Sequence, residues 1–145
     1  MSETLNGKCL CGACDVTIRP AEKTVHVCHC DMCRAWTGLG LMAVKVMPGD
    51  MEITGPVRVR KTSEWAERAW CDECGSALFY RVTADGPYKD VAHVATGLFE
   101  NAGGLTLTGE LYTDRRPSGY AFAGELHGMT GAEVEAFFTG EGDQQ

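Results

Sequence analysis

Basic side chains are scarce in this sequence. Lys and Arg number 13 against 20 Asp and Glu in 145 residues, a formal net charge of −7. An acidic protein repels a phosphodiester backbone on average, so nucleic acid is not an expected partner. Long apolar runs are missing as well. No stretch approaches the roughly 20 residues that cross a bilayer, so no membrane association is expected. Residues 1–8 are polar and lack the apolar core of a signal peptide. A cytoplasmic location, where thiols stay reduced, is therefore the expectation.

What the chain has instead is glycine and cysteine. Glycine occurs 18 times, which points to turns and short strands rather than a helical bundle. A chain of 145 residues, 44% apolar, buries a core without disulfide staples. The eight cysteines therefore need another reason. They are Cys9, Cys11, Cys14, Cys28, Cys30, Cys33, Cys71 and Cys74. Gaps of one and two residues between them suit a metal better than structural disulfides.

Cys9, Cys11 and Cys14 share the spacing C-x-C-x2-C with Cys28, Cys30 and Cys33. Cys71 and Cys74 form a C-x2-C followed by Gly75. Two thiolates on a tight turn reach one tetrahedral ion at about 2.3 Å. Gly12 and Gly75 follow such pairs, where the backbone must turn sharply. The clustering points to zinc. Spacing leaves open which cysteines share an ion. Eight allow two closed sites, or one closed site, one open site and a spare thiol.

Period-two alternation reads residues 8–18 as a strand, with Cys14, Val16 and Ile18 on its buried face. Further strands are predicted at 25–28, 39–46, 51–54, 57–61, 68–71, 78–82, 91–95 and 105–112. A turn of helix over 31–36 starts with Asp31 as its N-cap. Thr130 and Glu133 make a capping box for a helix over 131–138, with Val134, Phe137 and Phe138 on its apolar face and Gly140 as its stop. The fold class is mainly β, one domain over 1–145, with a core of about 7–139 and a flexible tail at 140–145.

Three blocks carry a resemblance. They are Gly7-Lys8-Cys9-Leu10-Cys11-Gly12; Cys28-His29-Cys30-Asp31-Met32-Cys33-Arg34 with Gly38; and Trp70-Cys71-Asp72-Glu73-Cys74-Gly75-Ser76-Ala77-Leu78-Phe79-Tyr80. In this order and with these gaps, the chain resembles the glutathione-dependent formaldehyde-activating enzyme family, which includes the centromere protein V relatives. The resemblance implies a β-tent of short antiparallel strands with one C-terminal helix and two zinc ions per chain. Cys9, Cys11, Cys71 and Cys74 would hold a structural zinc. Cys28, Cys30 and Cys33 would hold a second, catalytic zinc with an open position, the more readily lost on purification. The implied activity is a carbon–sulfur lyase type, adding glutathione's thiol to formaldehyde. Three positions differ from the family pattern: Cys14 replaces an aliphatic residue, Glu100 an Asp, and Glu110 a frequent His.

Other residues carry weaker signals. Cys14 reads as a buried free thiol rather than a fourth ligand to the second zinc. His29, between two candidate ligands, points away from their ion, toward solvent or an outer hydrogen bond. His93 reads as a satisfied strand histidine. Arg34 reads equally as an anion anchor and as a surface ion pair. Arg58, Arg60 and Lys61 suit a solvated strand face. Trp36, Trp65 and Trp70 read as packing around the cysteine blocks. Beside the enzyme stand two other functions: a non-catalytic zinc module that binds a partner, and a thiol or zinc redox sensor.

Overall fold

The computed structural model describes residues 3–139. In chain order its elements are β1 (Leu5–Lys8), β2 (Asp15–Ile18), β3 (Thr24–Cys28), α1 (Asp31–Thr37), β4 (Leu41–Val46), β5 (Met51–Thr54), β6 (Val57–Lys61), β7 (Ala66–Cys71), β8 (Ala77–Val82), β9 (Ala92–Ala95), β10 (Thr106–Leu111), β11 (His127–Met129) and α2 (Gly131–Thr139). The fold is mainly β, as expected. No helix among the described residues is long and apolar enough to cross a membrane. The expected Gly140 stop and the tail at 140–145 lie outside the described residues.

The chain falls into two compact units. The first comprises residues 3–24 and 43–106, the second 25–42 and 107–139.

In the first unit, β1, β2 and β5 form an antiparallel sheet, with Val16 opposite both Gly7 and Ile53. Strands β4, β9, β8, β7 and β6 pair antiparallel in that order. The period-two pattern works as anticipated in β2: Cys14, Val16 and Ile18 are buried while Asp15 is exposed. The expected strand over 8–18 is nevertheless interrupted. Cys9 N–H donates to the Cys14 carbonyl (3.1 Å) and Gly12 N–H to the Cys9 carbonyl (3.1 Å), which folds residues 9–14 into a turn. Gly12 is left-handed there, φ 81°. Strand β6 is the edge of its run, and its Arg58, Arg60 and Lys61 are exposed. Charge on an edge strand discourages pairing with another chain. Trp65 is also largely exposed, at 46%, and is not core packing.

In the second unit the strand order is β11, β10, β3, then the first residues of β4. Val25 and Val27 of β3 are buried, alternating with half-buried His26 and Cys28. Strands β10 and β11 run parallel, with Gly109 opposite His127. Residues 112–126 supply the long return that parallel pairing requires. The pairings of β1 with β2, of β2 with β5, and those from β4 through β9, β8 and β7 to β6, are antiparallel, as expected.

Two α-helices form among the described residues, where one full helix and a single turn were expected. The N-cap of α1 is Cys30, whose sulfur accepts from the Cys33 N–H; Asp31 is the first helical residue. Helix α2 begins as the capping box predicts. Thr130 N–H donates to Glu133 Oε1 (2.8 Å) and Glu133 N–H to Thr130 Oγ1 (3.2 Å). Asp114 Oδ1 accepts from Gly131 N–H (2.7 Å), satisfying another orphan donor of the first turn. Val134 is buried, whereas Phe138, four residues on along the same face, is 38% exposed.

Candidate metal centres

Two hairpin turns of the first unit bring four cysteines together. Residues 9–14 join β1 to β2 and carry Cys9 and Cys11. Residues 71–76 lead from the end of β7 into β8 and carry Cys71 and Cys74. The second turn closes like the first: Cys71 N–H donates to the Ser76 carbonyl (3.0 Å), and Gly75 takes a left-handed φ of 82°. The four Sγ atoms lie within 4.8 Å of one another. Cys9 and Cys11 are 3.7 Å apart, Cys11 and Cys71 3.8 Å. Four sulfurs about 2.3 Å from a central ion would have edges of about 3.8 Å. The spacing is far too long for disulfides, and all eight cysteines are free thiols.

The surroundings are built for negative sulfur. Cys14 N–H donates to Cys9 Sγ (3.2 Å) and Cys74 N–H to Cys71 Sγ (3.4 Å). Ser76 Oγ sits 3.1 Å from Cys74 Sγ and accepts from Leu10 N–H (2.9 Å), so one hydroxyl joins the two turns. Hydrogen bonds from the Ser76 hydroxyl and backbone hold the Cys74 thiol down at about 5. Ala13 N–H also draws Cys11 down, but burial and the neighbouring thiols prevail and push it up to about 12. The sulfurs therefore titrate as a coupled set, in which each thiolate opposes the next. A bound cation removes that opposition.

The second unit gathers Cys28, Cys30 and Cys33, whose Sγ atoms also lie within 4.8 Å of one another. Cys28 ends β3, Cys30 caps α1, and Cys33 lies one helical turn on, buried. Cys33 N–H donates to Cys30 Sγ (3.3 Å). The neighbouring Cys30 and Cys33 thiols, and then burial, push the Cys28 thiol well up. No fourth His, Cys, Asp or Glu joins this group among the described residues. Both donor sets, sulfur only and mutually close, fit a thiophilic ion such as zinc.

Cys14 joins neither group. It is buried in the first unit, where burial above all pushes its thiol up to about 12. His29 turns away from the sulfurs into the interior of its unit, where its Nε2 lies 2.9 Å from Glu110 Oε1. Arg34 is an ion pair with Asp31, and its Nε donates to the His29 carbonyl (3.0 Å). His93 lies in β9 opposite Tyr80 and Lys45.

Three residues near the clusters had no role in the sequence reading. Ser76 stood inside a quoted motif without one. Tyr112 stands in a left-handed conformation, φ 58°, its hydroxyl 3.4 Å from Glu135 Oε2. Burial, then the charges of Glu135, Cys30 and Cys28, push its phenol up. Arg116 places its Nη1 2.9 and 3.0 Å from the two oxygens of Glu110. The only advance signal was Glu110 itself, as a departure from a pattern.

The sequence profile of the family described as glutathione-dependent formaldehyde-activating enzyme matches residues 4–115. The chain belongs to this family. A relative from Schizosaccharomyces pombe, named an uncharacterized lyase, is 29% identical over 133 residues, covering 88% of this chain and 92% of the relative. The matched span of the glutathione-dependent formaldehyde-activating family contains both cysteine clusters and ends one residue before Arg116.

Proposed function

We propose that the chain is a zinc-dependent lyase of the carbon–sulfur type, adding a small thiol such as glutathione to formaldehyde or a related carbonyl. The observation that carries this reading is the contrast between the clusters: four sulfurs in one, three in the other with no fourth ligand among the described residues. Four protein ligands close a zinc site, whereas three leave a position for chemistry. Cys9, Cys11, Cys71 and Cys74 hold the structural ion in this reading, and Cys28, Cys30 and Cys33 the other. The family membership and the lyase name of the yeast relative support the reaction class.

When bound at an open site, zinc supplies Lewis acidity that lowers a thiol's pKa or polarises a carbonyl oxygen. In the reaction a sulfur–carbon bond forms, the carbonyl π bond breaks, and the thiol's proton ends on oxygen. The Cys33 N–H keeps Cys30 Sγ supplied with a hydrogen bond. Tyr112, its phenol pushed up, keeps its proton at neutral pH and remains a donor in the electrostatic range of Cys28 and Cys30. A cytoplasmic setting, with its glutathione pool, suits both the reduced thiols and the substrate.

The test titrates zinc into metal-depleted but folded protein and follows glutathione consumption by formaldehyde. A rate above the uncatalysed one, rising as the second equivalent of zinc binds, is expected. If the second equivalent binds and no added rate appears with glutathione or other small thiols, the protein is a binding module instead.

A further inference from the structure

The cluster of Cys28, Cys30 and Cys33 rests on a buried polar network that contributes no ligand. In extended backbone, residues i and i+2 face one way and i+1 the other. Cys28 ends β3, and Cys30 is extended as well, φ −62° and ψ 158°. Their sulfurs therefore share one side, and His29 is driven to the opposite one, where it is fully buried.

Burying an imidazole is costly unless its polar atoms are paired. Of the two ring nitrogens of His29, Nδ1 has no hydrogen-bond partner among the described residues, which leaves Nε2 to fix the ring. His29 Nε2 lies 2.9 Å from Glu110 Oε1, and Arg116 Nη1 holds both oxygens of that carboxyl from the surface. Burial alone would raise Glu110, but Arg116 and His29 outweigh it and keep a carboxylate there. A carboxylate only accepts, so Nε2 carries the hydrogen and donates it.

The main chain of His29 is tied too. Its N–H donates to the Leu111 carbonyl (2.9 Å), and its carbonyl accepts from Arg34 Nε (3.0 Å). Gly40 lies so close that a Cβ there would sit 2.9 Å from the Cys28 carbonyl oxygen and 3.3 Å from His29 Nδ1. The residue between the two sulfurs is held by its ring, its N–H and its carbonyl at once.

We propose that Glu110, anchored by Arg116 and acting through His29, is a positioning residue that sets the direction in which Cys28 and Cys30 present their sulfurs to a metal ion. The inference rests on the reading that this cluster holds one. The four-sulfur cluster takes its shape from two hairpin turns sixty positions apart in sequence. The three-sulfur cluster spans six consecutive positions and needs its geometry from outside. Partners bonded directly to metal ligands typically change metal affinity 10- to 100-fold when removed, and Glu110, one residue further out, should reach the lower end of that range.

The experiment compares wild type, Glu110→Ala and Glu110→Gln after loading with cobalt(II), whose ligand-field bands report sulfur geometry. Subtracting the spectrum of Cys30→Ala isolates the three-sulfur centre. Competition with a chromophoric chelator gives its dissociation constant. Glu110→Ala should weaken that centre about 10-fold and shift its bands, leaving the four-sulfur centre unchanged. Glu110→Gln, which still accepts from Nε2, should recover most of both. If Glu110→Ala fails to fold, Arg116→Gln takes its place and should move the same bands by less. Unchanged bands and affinity in the folded variant overturn the proposal, as does equal damage from Ala and Gln. A wild type that binds one metal alone overturns the underlying reading, and this inference with it.

Discussion

Gly75 and Gly40 are both glycine for different reasons, and a single methyl group separates them. Gly75 turns the chain after Cys74 with φ 82°, and a Cβ there would meet nothing within 4 Å. Gly75→Ala should cost only the strain of a left-handed residue, about 1–2 kcal/mol. Gly40 is constrained by contact. A Cβ would lie 2.6 Å from Val27 Cγ2 and 2.9 Å from the Cys28 carbonyl. Gly40→Ala must push β3 aside, at about 1–3 kcal/mol for overpacking, and the push reaches Cys28. Thermal melts with metal analysis separate the two. Gly75→Ala should melt lower with full metal content, and Gly40→Ala should also lose metal from the three-sulfur centre. A Gly40→Ala protein that melts and binds like wild type would mean the close approach is not kept in solution.

Glu110 makes a second prediction at this scale, with a definite sign. Burial raises its carboxyl, but Arg116 and His29 overcome that, so its folded pKa lies below its ordinary value. A group depressed by folding contributes stability that is present above its unfolded pKa, about 4.3 for Glu, and is lost as pH falls toward the folded value. Glu110→Gln removes that contribution. The difference in melting temperature between wild type and variant should be largest near neutral pH and shrink below about pH 4. A difference that grows on acidification would contradict the ion-paired state of Glu110.

Elements show how far local signals reach. The α2 capping box needs only four consecutive residues, and both of its hydrogen bonds are present. Thr130→Ala should destabilise by about 1 kcal/mol, read as a shift in the denaturation midpoint with unchanged metal content. Strands β5 and β6 fall on the residues their alternation predicts, 51–54 and 57–61. The cysteine clusters were legible because ligands at one- and two-residue gaps are a local pattern too. Where the reading failed, a non-local or ligand-driven constraint had won. Alternation cannot show that the chain breaks at Cys9 to fold back, because the apolar period resumes at Cys14 on the other side. Asp31 has good N-cap chemistry, yet Cys30 takes the position, since its sulfur accepts from Cys33 N–H. The parallel pairing of β11, and the meeting of His29 with Glu110 across 81 positions, leave no trace in any short window.

At the scale of the whole molecule the two centres should differ in what their loss does. The four-sulfur centre lies wholly in the first unit and joins turns sixty positions apart in sequence. A structural zinc in a small module is worth roughly 10 kcal/mol or more, comparable to the entire stability of a domain. Cys71→Ser should therefore unfold the first unit. The three-sulfur centre lies wholly in the second unit and closes a single local turn, so its loss returns little chain entropy to the unfolded state. On the proposed reading it also has one ligand fewer and would release its ion more easily. Cys30→Ala should stay folded, bind one metal instead of two, and lose thiol–aldehyde activity. In the wild type, titration with a chelator at fixed pH should remove metal in two steps. The first should abolish activity with little change in far-UV circular dichroism, and the second should coincide with loss of the β signal. A single cooperative step, or loss of the β signal at the first equivalent, would show that the three-sulfur centre is a structural site and would remove the ground for placing chemistry there.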